Sequence, residues 1–154
     1  MTPISRATDY AVRILSALHA AEAERVTAAA LAQVTSIPTD QVLKAVGPLS
    51  RQGWVQSFRG AVGGFALSAS LDEVTLLDVV ELFEGPLHVQ TCTGVAGCEF
   101  SARCAAHVIW LEAEQALRRV LAQHTMAEIA ARMRALDVFV PRIETRLVQD
   151  QQPL

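Results

Sequence analysis

The sequence lacks the long uncharged hydrophobic run that a membrane-spanning helix needs. Hydrophobic residues make up 51% of the 154 positions, yet charged side chains interrupt every long apolar stretch. The opening residues, MTPISRATDYAVR, carry charges before any apolar run, which is not the pattern of a signal peptide. These two absences predict a cytoplasmic protein with no membrane partner.

The common signatures of catalysis are also missing. The chain contains no Gly-x-Ser-x-Gly nucleophile elbow, no phosphate-binding P-loop and no pair of carboxylates spaced for acid–base chemistry. It shows no internal repeat and no low-complexity tract. We therefore expect one folded unit, which the length also favours, and a protein that is not an enzyme.

Cysteine is scarce, and its distribution is uneven. All three cysteines lie in the pattern Cys92-x5-Cys98-x5-Cys104, and His107 follows three residues later. An odd number of cysteines in a reducing compartment argues against structural disulfides. Thiolates are soft ligands that bind iron–sulfur clusters, zinc or copper(I), so the spacing indicates a metal site.

His107 is a candidate fourth ligand, because histidine replaces cysteine in some iron–sulfur centres. If Ser101 caps a helix that begins near residue 102, Cys104 lies in its first turn with His107 on the same face. The positive end of the helix then favours the thiolate. A structural zinc site with these ligands is an alternative, although zinc sites usually include a tighter cysteine pair. Small buried cysteines that bind no metal are the other alternative.

Hydrophobic spacing and turn residues predict the order of the elements in the first half of the chain. The predictions are a helix over 5–21, a short helix capped by Thr27, a third helix over about 39–51, a hairpin of WVQSF and FALS around RGAVGG, and a fourth helix over 75–85. This order is that of a winged helix-turn-helix. On the third helix, the expected inner face is Val42, Leu43, Val46 and Leu49, and Pro48 predicts a kink.

The second half predicts a long helix over about 102–122. Its stripe of Ile109, Ala113, Ala116 and Val120 is typical of a dimerisation helix, and TMAE at 125–128 matches a capping box for one more short helix. The fold class is therefore mostly α with a small β-hairpin wing. Three parts make up the single folded unit: a DNA-binding region at 1–85, a cluster-binding loop at 86–104, and a dimerisation helix with a C-terminal tail at 102–154.

Charge favours nucleic-acid contact through the first half. Residues 1–66 carry six Lys and Arg against four Asp and Glu, whereas residues 67–154 carry seven against twelve. A third helix in the major groove and an arginine at the wing tip are the usual reading elements of such a fold. The candidate DNA contacts are Thr39, Asp40, Gln41, Lys44, Arg59 and Gly60.

Together these motifs resemble the IscR/NsrR family of bacterial winged-helix iron–sulfur transcription regulators. The matching stretches are TDYAVR, GWVQSFRGAVGGFAL, LLDVVELFEG and C-x5-C-x5-C-x2-H-x2-W, in order over residues 5–133. The resemblance implies a homodimer that binds double-stranded operator DNA in promoters. It also implies that Cys92, Cys98 and Cys104 ligate an iron–sulfur cluster that senses iron, redox state or nitric oxide.

The resemblance implies two different fourth ligands. HVIW at 107–110 is similar to the IscR branch, in which the histidine matching His107 ligates a 2Fe-2S cluster. ATDYAVR is similar to the NsrR branch, in which the aspartate matching Asp9 ligates a 4Fe-4S cluster from the other subunit. We expect the 2Fe-2S form and keep the 4Fe-4S form open. Two other functions also stay open: a regulator of this fold that uses its thiols without a cluster, and a small iron–sulfur or zinc carrier that does not bind DNA.

Overall fold

The computed structural model describes residues 4–22, 24–60, 63–94 and 97–140. Within these ranges the chain is mostly helical and has one antiparallel hairpin, which confirms the predicted fold class. The elements are α1 (Arg6–Ala20), α2 (Ala28–Thr35), α3 (Thr39–Arg51), β1 (Val55–Phe58), β2 (Gly64–Leu67), α4 (Leu76–Glu84), α5 (Ala105–Ala122) and α6 (Met126–Ala135). The predicted C-terminal tail, the last ten or so residues, lies outside the described residues.

Short polar side chains set where the helices begin. Thr27 accepts a hydrogen bond from the Ala30 amide at the start of α2. Thr75 and Thr125 each form a complete capping box, at α4 and α6 respectively. Such caps satisfy amides that have no partner inside the helix. The predicted cap at Thr27 and the capping box at 125–128 are therefore confirmed.

The core is built around α1, which packs against α2, α3, α4 and α6. The inward side chains of α1, Ile14, Leu15 and Leu18, are fully buried. Leu31, Leu49, Val79 and Met126, from those four helices in turn, complete the same cluster. Burying large aliphatic side chains stabilises the fold by about 1.5–3 kcal/mol each, so this cluster fixes the orientation of α3.

A single residue outside the hairpin also pairs with the wing, and this contact was not predicted from the sequence. β1 pairs with β2 from Val55 opposite Leu67 to Phe58 opposite Gly64. On the other side of β2, Val26 and Phe65 exchange two backbone hydrogen bonds of 2.9 Å. A Cβ at Gly64 would lie 2.8 Å from the Val26 carbonyl oxygen, so this approach requires glycine. The bridge ties the wing to the segment before α2.

Two sequence predictions about helices are wrong. Leu43 is exposed rather than on the inner face of α3, where Ala45 is buried instead. The long helix begins at Ala105 and not near 102, because Ser101–Arg103 form a 3-10 turn and Cys104 has an extended backbone. α3 continues as one helix through Pro48, and the predicted kink there stays a prediction.

No helix in the described ranges is both long enough and apolar enough to cross a membrane.

Candidate nucleic-acid interface and cysteine segment

The outer face of α3 carries exposed polar side chains. Val42, Val46 and Leu49 bury the opposite face of this helix in the core. The predicted contacts Thr39, Asp40 and Lys44 are exposed, and Gln41 is half-buried. The structure therefore places these four predicted residues together in the first turns of α3.

Asp40 holds its two polar neighbours on this face. Its carboxylate lies 3.5 Å from the Lys44 ammonium and accepts a hydrogen bond of 2.7 Å from the side-chain amide of Gln41. Both groups of the ion pair are exposed, and such pairs contribute about 0–1 kcal/mol, so Lys44 can leave Asp40 for another anion at little cost. Lys44 is also the only lysine in the chain.

The wing presents Arg59 and Gly60 directly after β1, and both are exposed. Gly60 has a φ of 106°, and its carbonyl accepts a hydrogen bond from the Gly63 amide at 3.0 Å. Residues 61 and 62 lie outside the described ranges. The Ser50 and Ser57 hydroxyls are 3.2 Å apart, which links the last turn of α3 to β1.

An open groove of about 630 Å³ separates the start of α1 from α3 and α4. Arg6 and Lys44 line it together with Tyr10 and Phe83. Arg6 places a second positively charged side chain near Lys44, on the α1 side of the groove. The rest of the lining is mostly apolar, with Ala7, Pro38 and Phe83 beside the two cations.

The three cysteines lie in the segment that connects α4 to α5. Cys92 is in a 3-10 turn at Thr91–Thr93, Cys98 precedes a second such turn, and Cys104 is the N-cap residue of α5. All three are free and half-buried. The Cys104 side chain makes no capping hydrogen bond, although its carbonyl accepts one from the His107 amide at 3.1 Å. The predicted placement of Cys104 inside the first turn is therefore wrong, because it lies just before the helix.

Glu114 of α5 fastens the first part of the cysteine segment. Its carboxylate accepts hydrogen bonds from the Val89 amide at 3.1 Å and the Thr93 hydroxyl at 2.5 Å. The Nδ1 atom of His88 lies 3.4 Å away, outside good hydrogen-bond geometry. Burial raises the pKa of Glu114, but the hydrogen bonds from Thr93 and Val89 outweigh it, so the pKa is below its ordinary value.

Two further carboxylates extend this connection to α1. The Glu81 carboxylate of α4 accepts a hydrogen bond of 3.1 Å from the Leu87 backbone amide and forms an ion pair with Arg118 of α5. The Glu84 carboxylate accepts a hydrogen bond of 2.9 Å from the Ser5 backbone amide and another from the buried Thr8 hydroxyl at the start of α1. Burial raises the pKa of Glu84, but these hydrogen bonds lower it to below its ordinary value. Sequence reasoning missed Glu81, Glu84 and Glu114, because their partners lie far along the chain and leave no local pattern.

The proposed fourth ligands are in different places. The Nδ1 atom of His107 is buried and has no hydrogen-bond partner. Asp9 lies on α1, where its carboxylate pairs with Arg13 at 2.6 Å. In the described part of the chain, no three His, Cys, Asp or Glu side chains are grouped closely enough to hold one metal ion. The single chain thus supplies suitable donors without bringing them into one coordination sphere.

Comparisons with known proteins agree with the fold and the motifs. The family model Rrf2, described as an iron-dependent transcriptional regulator, matches residues 4–132. IscR of Photorhabdus laumondii is 27% identical over 90 residues, which is 58% of this chain and 55% of that protein. IscR of Erwinia tasmaniensis is 30% identical over 81 residues, 53% of this chain and 49% of that protein. The match thus spans about half the length of these curated relatives.

Two solved structures share the fold. CymR of B. subtilis, described as its global cysteine regulator, has a TM-score of 0.70 and 26% identity, and the match covers 86% of this chain and 98% of CymR. IscR of T. potens has a TM-score of 0.66 and 20% identity, and the match covers 88% of this chain and 90% of that protein. At this low identity the likeness supports the fold alone. The family model and CymR both describe regulators, in agreement with the expectation that the chain is not an enzyme. Because the family model covers most of the sequence, the chain belongs to the Rrf2 family of transcriptional regulators.

Proposed function

We propose that the protein is a homodimeric transcription regulator that binds operator DNA and whose DNA affinity is set by an iron–sulfur cluster. The observation that carries the proposal is the α3 face, which is polar, exposed and held beside a wing with Arg59 at its tip. The division into 1–85, 86–104 and 102–154 and the cytoplasmic location stay predictions.

Each residue of the surface has a role that suits its chemistry. Thr39, Asp40 and Gln41 are in the first turn of α3, the part of a recognition helix that usually meets base edges in the major groove. Lys44, one turn later, neutralises a phosphate. Arg59 enters a minor groove, where narrow A·T tracts attract arginine. Gly60 carries no side chain, which lets the wing backbone come close to the duplex.

The exposed stripe on α5 is the proposed dimer interface. Ile109 is 63% exposed and Val120 53% exposed, and Ala113 and Ala116 complete the predicted stripe between them. A second copy of the same helix would cover this apolar surface. A twofold dimer presents two α3 helices to half-sites about 34 Å apart, one turn of the double helix. Ile109→Glu should therefore give monomers in light scattering, whereas the exposed Glu112→Ala should leave the dimer intact.

The donors near the cysteine segment fit an iron–sulfur cluster by their chemistry. Cys92, Cys98 and Cys104 are free thiols, and His107 has a buried ring nitrogen that no protein group satisfies. Cys104 also occupies the N-cap position of α5 and makes no side-chain capping hydrogen bond there. These residues would hold a 2Fe-2S cluster, with Asp9 as the alternative fourth ligand and a 4Fe-4S cluster as the alternative type. A bound cluster supplies a centre that responds to oxidants, nitric oxide or iron supply.

Contacts in the chain offer a route from the cysteine segment to α3. Glu114 holds the segment on α5, and the Arg118–Glu81 pair joins α5 to α4. Glu84 then ties the end of α4 to the start of α1, which packs directly on α3. A change in the cysteine segment would move α1 and α3, and hence the spacing of the two recognition helices. Couplings of this kind are typically 1–3 kcal/mol, or about 5–150-fold in affinity.

Two measurements test the DNA surface. In fluorescence anisotropy titrations on promoter DNA, Arg59→Ala should lose about 1–3 kcal/mol of binding, and Arg132→Ala on α6 should lose none. Because Lys44 is the only lysine, acetylation read by mass spectrometry reports on α3, and bound DNA should protect it. Equal affinity of Arg59→Ala and the parent, with Lys44 unprotected, would refute DNA recognition by this surface.

The ligands are tested by iron and sulfide analysis of anaerobically purified variants. Cys92→Ala, Cys98→Ala and Cys104→Ala should each lose the cluster. His107→Ala should alter its spectrum more than Asp9→Ala does. Full cluster content in any two cysteine variants would overturn the ligand assignment, and a larger effect of Asp9→Ala would favour the 4Fe-4S form.

A cluster-free regulator is the second candidate. The likeness to CymR, described as a global cysteine regulator, favours it. In that case Cys92, Cys98 and Cys104 would act through oxidation of their thiols or through a partner protein. Anaerobically purified protein that is colourless and free of iron would support this candidate over the cluster-based one.

A further inference from the structure

Leu43 is the one large apolar side chain on the outer face of α3. It is 53% exposed, although the helix buries Val42, Ala45 and Val46 around it. Single exposed leucines are common on protein surfaces, so exposure alone indicates nothing. The informative feature is the position of Leu43 within the proposed DNA-binding face.

Leu43 lies in the middle of that face. Residues four apart form one row along a helix, so Thr39 is one turn before Leu43 and Gly47 one turn after it. Asp40 and Lys44 form the adjacent row, and both are exposed. Gly47 adds no side chain beside Leu43. Any duplex that contacts Thr39 and Lys44 together must therefore also cover Leu43.

The chemistry of leucine restricts what it can read in a major groove. It has no donor or acceptor, so it cannot distinguish bases by hydrogen bonds. The four standard bases offer one apolar group there, the 5-methyl group of thymine, and apolar side chains recognise thymine through it. A polar base edge facing Leu43 would lose its water without gaining a hydrogen bond, which costs binding energy.

We propose that Leu43 contacts a thymine 5-methyl group and so makes the protein prefer thymine at one position of each half-site. This inference rests on the proposed DNA-binding function and adds a specificity residue to it. Thr39, Gln41 and Lys44 supply polar contacts on either side, and Leu43 supplies the apolar one.

The test uses a duplex chosen from a random library by the full-length protein, followed by replacement of each thymine with deoxyuridine, which lacks only the methyl group. At one thymine position per half-site, replacement by uracil should weaken binding about fourfold. That factor corresponds to the free energy gained when one methyl group is buried. The same replacement should change the affinity of Leu43→Ala less than twofold, because the methyl then has no partner. Leu43→Met should keep the uracil penalty, and Leu136→Ala, at a 75% exposed site directly after α6, should match the parent.

The outcomes separate this inference from the proposed function. A selected sequence whose thymines all tolerate uracil, or a uracil penalty that persists in Leu43→Ala, would overturn the role of Leu43 and leave DNA recognition intact. A selection that enriches no sequence would overturn the proposed function and this inference with it. Leu43 is exposed, so its substitution should not change the unfolding transition, which circular dichroism can verify.

Discussion

Replacing Glu114 with alanine should release the first part of the cysteine segment from α5. Glu114 is 13% exposed, and its carboxylate accepts from the Val89 amide and the Thr93 hydroxyl. Hydrogen bonds to charged groups contribute about 1.5–3 kcal/mol. The Thr93 hydroxyl has a single proton and also lies 2.8 Å from the Gln90 carbonyl, so it keeps a partner in the variant. The Val89 amide does not.

The loss is therefore close to that of one charge-assisted hydrogen bond, about 2 kcal/mol. Because this segment is outside the main core, the penalty should raise local opening roughly 30-fold without a comparable change in global stability. Hydrogen–deuterium exchange should show it as faster exchange in a peptide covering 86–94, with peptides from α2 unchanged. Glu112→Ala is the matched control on the same helix. Unchanged exchange in 86–94, or an equal effect of Glu112→Ala, would refute the anchoring role of Glu114.

Three other variants test separate parts of the structure. In urea unfolding, Gly64→Ala should destabilise the protein more than Gly53→Ala. Both glycines have positive φ, but only a Cβ at Gly64 would lie 2.8 Å from a backbone oxygen, that of Val26. Equal losses of stability in the two variants would contradict the close contact between Gly64 and Val26. Asp40→Asn should tighten binding to random-sequence DNA about fivefold. The change removes one negative charge, whose repulsion by a phosphate at contact distance is roughly 1 kcal/mol. Unchanged affinity in anisotropy titrations would argue against DNA contact at Asp40. The lowered pKa of Glu84 means that its carboxylate stabilises the fold above the ordinary glutamate pKa and that this stability is lost as the pH falls through the folded value. The stability difference between the parent and Glu84→Gln in urea should thus shrink between pH 7 and 3.5, and a constant difference would contradict the assignment.

Local features of the fold were predictable from the sequence, and features that depend on distant residues were not. Thr27 was recognisable as a cap because the capping motif is contained in a few residues. Val26 was missed because a one-residue bridge leaves no strand pattern, and Glu114 because its partners are 21 and 25 residues away. Leu43 was placed in the core on hydrophobicity alone, although its position on α3 faces outward. The roles of the cysteines and of the DNA-contact residues stay predictions.

In the proposed mechanism, the state of an iron–sulfur cluster sets how tightly the protein binds DNA. Titrating the selected duplex with anaerobically purified protein tests this dependence, first with the cluster intact and then after its removal by oxidant and chelator. The protein should be coloured and contain iron and sulfide, and its dissociation constant should change at least about fivefold between the two states. A protein without iron, or the same dissociation constant in both states, would contradict the mechanism.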